Sequence, residues 1–260
     1  MSPTPPLERA DTFEMPLMEH LRELRKRVIT CVWAVLISVG LSFIFATPIF
    51  DWLSAPMTEA LRTTGKGTMA VSEATEAVVV QLKVAGIAGL FLASPVLAYQ
   101  AWQFVAPGLY ERERRSVLPL AFASTFLFAL GGGFAYYVVF RYGFPLFLDM
   151  NGENVQAVLS INSYLSFAIT LLVAFGASFQ LPIVIYFLAR IGLINHRDLI
   201  SGFRYGVVGI FAIAAVLTPP DVMSQLMMAG PLLLLYGVGI GVAWLFSTKP
   251  VPPKGDAGNP

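Results

Sequence analysis

The sequence predicts an all-α integral membrane protein with six transmembrane helices and both termini in the cytoplasm. Three observations predict it. Of 260 residues, 56% are hydrophobic and only 13% charged, against about 25% charged in an ordinary soluble domain. The apolar residues gather in six runs, at 28–47, 77–98, 117–140, 163–189, 205–217 and 224–246, each long enough or nearly long enough to cross a bilayer core of about 30 Å. The basic residues collect on one side of those runs.

The elements follow in chain order. Residues 1–16 are polar and Pro-rich without a short apolar core, so a flexible tail is expected there and no cleaved leader. A single six-helix membrane domain spans 17–246, and the Pro- and Gly-rich residues 247–260 are expected to be a disordered cytoplasmic tail. Just before the first apolar run, six charged side chains fall within Glu19–Arg27. Leu17, Leu21, Leu24 and Val28 share one helix face there, and Glu23 can pair with Lys26 or Arg27 at i+3 and i+4. The loops at 48–76 and 141–162 are expected to fold over the outer face. Ser72 followed by Glu73 and Glu76 reads as a capped helix start. The fifth run is short: thirteen residues at 1.5 Å rise reach only about 20 Å. Pro219 and Pro220 stop it, and Asp221 can cap the next helix.

Orientation rests on the Lys and Arg flanks. One side carries Arg9, Arg22, Arg25, Lys26, Arg27, then Arg112, Arg114, Arg115, then Arg190, Arg197, Arg204, then Lys249 and Lys254. The other carries Arg62, Lys66 and Arg141, with Lys83 inside the second run. The crowded side is expected to be cytoplasmic.

Other classes find little support. The net charge of +1 argues against nucleic-acid partners. Cys31 is the single cysteine, so no disulfide framework, metal site or other cofactor is expected. A membrane hydrolase needs a nucleophile and base, paired aspartates or a metal. His20 and His196 fall at helix edges, there is no HExxH, and no Asp or Glu lies inside a predicted span. A solute transporter would show repeats, broken helices or paired mid-membrane charges; only Gln180 and Lys83 are candidates.

A second cytoplasmic stretch, YQAWQFVAPGLYERERR at 99–115, sharpens the reading. It sets Trp102, Phe104 and Tyr110 beside a Pro107-Gly108 turn and then Glu111 and Glu113. Interfacial aromatics and arginines need no further reason. Carboxylates beside them suit a cationic, partly apolar ligand, because guanidinium binds carboxylate in a planar fork. With HLRELRKRV, LSAPM, SEATEAV, FAYYVVF, SYLSFAITLLVAFGASFQLP and LTPPDVMSQ, the chain resembles the TatC family, the multi-spanning subunits of the twin-arginine protein translocase.

The resemblance implies a concave bundle with short spans five and six, in a bacterial inner membrane. It implies a receptor and core subunit rather than an enzyme. Such a subunit binds twin-arginine signal peptides at the cytoplasmic face. It acts with TatA- and TatB-type single-span partners, as a homo-oligomer within a TatB-TatC complex, to move folded cargo with the proton-motive force. Carried onto this sequence, Glu23 and Glu113 hold the two arginines, Phe104 and Pro107 shape the site, and Arg25 supports it. Gln180 stands where the family usually has an intramembrane glutamate. Thr218, Asp221 and Gln225 are the polar contacts that dock a partner helix.

Overall fold

The computed structural model describes residues 11–65, 67–70, 75–105, 117–150, 157–217 and 222–246. They are mostly helical. The chain divides into two compact units: Met1–Phe45 with Ala85–Thr125, and Ala46–Val84 with Phe126–Pro260.

The first unit contains α1 (Asp11–Ile44), most of α3 (Glu76–Val105) and the start of α4 (Val117–Phe134). Along α1, Val28, Val32, Trp33, Leu36 and Ile37 are all about half exposed or more, as lipid-facing side chains are. Where α1 meets α3 the backbones come close. A Cβ at Gly89 would lie 2.7 Å from the backbone nitrogen of Val39, so only glycine fits. Pro95 interrupts α3 and has no N–H for the Phe91 carbonyl four residues earlier. Ser94, its immediate neighbour, donates its hydroxyl to that carbonyl at 2.7 Å, so the helix repairs itself locally. Trp102 Nε1 donates to Ser124 Oγ at 2.8 Å and joins α3 to α4.

The second unit begins with α2 (Ala46–Thr64) and strand β1 (Gly67–Ala70). A π-helical turn at Ala135–Phe140 continues α4 into α5 (Arg141–Met150), and strand β2 is Ala157–Ser160. The expected loops at 48–76 and 141–162 are therefore largely regular structure. Gly65, at φ +66°, ends α2, its N–H reaching the Leu61 carbonyl at 2.9 Å. The strands pair in parallel, Gly67 with Ala157 through Ala70 with Ser160, which adds a small sheet to the expected all-α architecture. Pro56 interrupts α2 and frees the Trp52 carbonyl. Here the repair comes from other helices. Tyr136 donates its hydroxyl to Trp52 O at 2.6 Å, and Tyr164 donates to the next carbonyl, Leu53 O, at 2.7 Å. The Trp52 and Tyr136 rings stack with centroids 3.9 Å apart. Behind them Phe140, Phe144 and Phe175 are fully buried.

Span four is α6 (Ile161–Ser178) followed by α7 (Leu181–Arg190), not the continuous helix its apolar run suggests. Pro182 cannot donate to Ser178 O, and the chain tightens to a three-residue turn in which Gln180 N–H meets Ala177 O at 3.0 Å. Gly131 permits close packing of α4 on α6: a Cβ there would lie 2.5 Å from the Phe175 carbonyl oxygen. Gly133 faces open space.

After α8 (His196–Ser201), capped by the Asn195–Asp198 box, come α9 (Phe203–Leu217) and α10 (Val222–Phe246). Among the described residues, five helical segments are long and apolar enough to cross a membrane: Met18–Ile44, Glu76–Val105, Val117–Asp149, Ile161–Arg190 and Gln225–Phe246. α9 is a shorter apolar helix of 15 residues, as its sequence foretells. α10 is not short. It runs 25 residues, because its apolar composition continues to Phe246 and Pro231 does not end it.

Candidate functional site

Two helices build the cluster around Glu23. On α1, Glu23 and Arg27 are one turn apart and form the one ion pair among the described residues. The guanidinium fork spends Nε and Nη2 on Glu23 Oε1, with Nε at 3.1 Å. Its remaining arm, Nη1, donates to Gln100 Oε1 at 3.1 Å and Gln103 Oε1 at 2.7 Å. Both amides belong to α3, so one arginine ties a carboxylate to the neighbouring helix. Gln103 passes the bond on, donating from Nε2 to the Tyr99 hydroxyl at 2.5 Å. One turn before Glu23, the His20 ring stacks on Phe104 of α3, centroids 4.5 Å apart and planes 23° apart.

The Glu23 side chain keeps 34% of its exposure and Arg27 only 17%. The acid is thus held in a fixed position while still meeting solvent. A carboxylate presented this way, beside an aromatic face and neutral amides, is suited to a guanidinium ligand: planar, weakly hydrated and forked.

The other expected site residues fall as follows. Arg25 is exposed, and the arginine that orders Glu23 is Arg27, already legible as its i+4 partner. Phe104 is placed beside the cluster by His20. Glu113 and Pro107 lie outside the described residues, as do Tyr110 and Glu111. Gln180 sits at the break between α6 and α7, half-buried. Gln225 donates from Nε2 to the Phe211 carbonyl at 3.0 Å and so links α10 to α9, while Thr218 and Asp221 lie outside the described residues. Gln100 and Gln103 were not foreseen. Their signal was present, since residues 100 and 103 share one helical face with Phe104.

Glu76 was expected as an acid at a helix start capped by Ser72; Ser72 lies outside the described residues, and Glu76 is the acid in the first turn of α3. It also turns inward, at 6% exposure. It accepts from Ser160 Oγ and from the Asn162 backbone N–H, both at 2.7 Å. Two turns on, Lys83 Nζ donates to Asn162 Oδ1 and to Ser166 Oγ, the latter at 2.6 Å. The intramembrane lysine is therefore held by neutral groups of α6. No group of three or more metal-ligating side chains occurs among the described residues.

The family model of the Sec-independent protein translocase protein TatC matches residues 19–231. The chain belongs to the TatC family. A TatC of Desulforapulum autotrophicum is 42% identical over 235 residues, covering 90% of this chain and 86% of that protein. The TatC of Magnetococcus marinus is 41% identical over 225 residues, covering 86% and 82%. A crystal structure of the twin arginine translocase receptor TatC in the detergent DDM superposes with a TM-score of 0.78 at 38% identity, covering 86% of this chain and 99% of that one. Family membership makes the chain a component of a protein translocase and not an enzyme. Its apolar helices make it a multi-pass membrane protein.

Proposed function

We propose that this TatC-family chain is the signal-peptide receptor of its translocase, with the α1–α3 cluster as one wall of the cytoplasmic binding site. The observation that carries the reading is Glu23. It is a half-exposed carboxylate held by Arg27 across Gln100 and Gln103, with Phe104 alongside on His20. Glu23 and Glu113 take the two arginines of a twin-arginine signal, Phe104 and Pro107 shape the pocket, and Arg25 contributes positive charge at its edge.

In this reading the chain crosses a bacterial inner membrane six times. The sixth crossing is supplied by α9, sheltered by its neighbours or by a thinned bilayer. Both termini face the cytoplasm, as the Lys and Arg distribution supports. TatA- and TatB-type partners, docking near Thr218, Asp221 and Gln225, join it in an oligomeric complex that uses the proton-motive force to move folded cargo. The likeness to solved structures of a twin arginine translocase receptor supports the receptor role.

The test is capture of a labelled twin-arginine signal peptide by the purified chain, compared with a twin-lysine version. Retention of the twin-arginine peptide and loss of the other is expected. Equal capture overturns the reading. Orientation has its own test. In a background lacking Cys31, single cysteines at residues 2 and 255 should label only from the cytoplasm and one at residue 64 only from outside. Labelling of residue 255 from outside would mean an odd number of crossings.

A further inference from the structure

A cavity of about 450 Å³ opens on the second unit, between α2, the π-helical turn and α5. Its volume is within the range of small-ligand sites, about 300–1,000 Å³. Its wall is Tyr136 and Tyr137, and Pro56 and Pro145 contribute apolar surface. Two opposite charges face it from different helices, Glu59 on α2 and Arg141 at the start of α5. They form no ion pair with each other, and neither side chain has a bonded partner among the described residues. The wall is also the one π-helical segment among the described residues, a distortion that recurs at functional sites. Two successive tyrosines of that segment line the cavity.

We propose that this cavity binds the headgroup of an ethanolamine phospholipid. Arg141 takes the phosphate diester through its fork, as guanidinium does wherever phosphate is read. Glu59 accepts from the primary ammonium at the far end of the same headgroup. Two unpaired opposite charges lining one cavity suit a ligand carrying both charges, and a simple anion would leave Glu59 opposed to it. A lipid is favoured over a soluble zwitterion by the surroundings. The cavity borders a membrane-spanning segment, Val117–Asp149. Around it Trp52, Tyr137 and Tyr142 are 49%, 64% and 66% exposed, the aromatic girdle of a bilayer interface. The binding does not depend on which membrane face this is, nor on the signal-peptide reading.

The experiment is native mass spectrometry of the full chain released from micelles. The micelles hold equal amounts of phosphatidylethanolamine, phosphatidylglycerol and phosphatidylcholine with identical acyl chains. The ethanolamine adduct should dominate. Arg141→Gln should lower the ethanolamine and glycerol adducts together, by roughly five- to tenfold for one charge-assisted contact. Glu59→Gln should remove the preference for ethanolamine over glycerol. Both side chains are exposed, so both variants should elute and melt like the parent. On the parent alone, stepwise N-methylation of the lipid amine should weaken the adduct with each lost N–H donor. Equal adducts of the three lipids, or a preference that survives both variants and N-methylation, overturns the proposal. Displacement of the lipid by glycerophosphoethanolamine at the lipid's own concentration would assign the site to a soluble ligand and overturn the lipid assignment.

Discussion

The two units use the same residue types in opposite ways. In the first, the proline of α3 is repaired by its own neighbour, Ser94, and the glutamate of α1 stays half exposed in the grip of an arginine. In the second, the proline of α2 is repaired from two other helices by Tyr136 and Tyr164. One of its glutamates, Glu76, is buried against the fixed donors of Ser160 and Asn162. In the second unit Tyr136, Tyr164 and Glu76 are committed to joining elements distant in sequence, while Glu59 and Arg141 stay exposed on the cavity. The polar groups of the α1–α3 cluster leave a carboxylate positioned but reachable. Inside a bilayer an unsatisfied backbone carbonyl costs several kcal/mol, so each interruption must find a donor. Where the donor comes from decides how widely a mutation is felt.

The contrast can be broken most severely at Glu76. Glu76→Ala leaves the Asn162 N–H and the Ser160 hydroxyl without their acceptor, and bonds to a charged group are worth about 1.5–3 kcal/mol each. A loss of roughly 3 kcal/mol of unfolding stability in detergent is expected, with the α1–α3 cluster intact. An unchanged melting profile would show that the tie carries no weight.

A smaller effect sharpens the proline comparison. Tyr136→Phe strands the Trp52 carbonyl and should cost about 1–2 kcal/mol. In a Pro56→Ala background the new N–H at residue 56 can reach Trp52 O, so the same tyrosine substitution should become nearly neutral. The double-mutant cycle reads this coupling directly, and strict additivity would refute the repair. The smallest effect belongs to Ser94→Ala. Side-chain hydrogen bonds inside membranes average about 0.6 kcal/mol, and the change should stay confined to α3. Hydrogen exchange should show faster exchange around residues 91–95 and nowhere in the second unit.

Much of this was legible in the sequence. The spans follow from apolar runs of membrane length, the short α9 from Pro219 and Pro220, and the Glu23–Arg27 pair from i+4 spacing. What escaped has physical reasons. α2 carries Pro56 amid mixed polarity, so its 19 residues do not stand out from a loop. β1 and β2 are four residues each and pair across a separation of ninety, Gly67 with Ala157, beyond any local periodicity. The π-helical turn is uniformly apolar and carries no pattern. The break before α7 did have a signal in Pro182, masked by the continuous apolar run around it. The inward turn of Glu76 needed knowledge that Ser160 and Asn162 would arrive beside it.

The most direct test of the division between the units is the affinity of a labelled twin-arginine signal peptide for the parent, Glu23→Gln, Glu113→Gln and Glu76→Gln, at two salt concentrations. A charge-assisted bond of about 1.5–3 kcal/mol corresponds to roughly 10- to 150-fold in affinity, and exposure to water lowers it. Glu113→Gln is expected to lose about tenfold or more. The half-exposed Glu23→Gln is expected to lose about three- to tenfold, with parental stability. Glu76→Gln is expected to lose stability and keep its affinity. If the Glu23 and Glu113 variants bind as tightly as the parent, or if the Glu76 variant loses affinity as they do, the acids of the first unit are structural and the division fails.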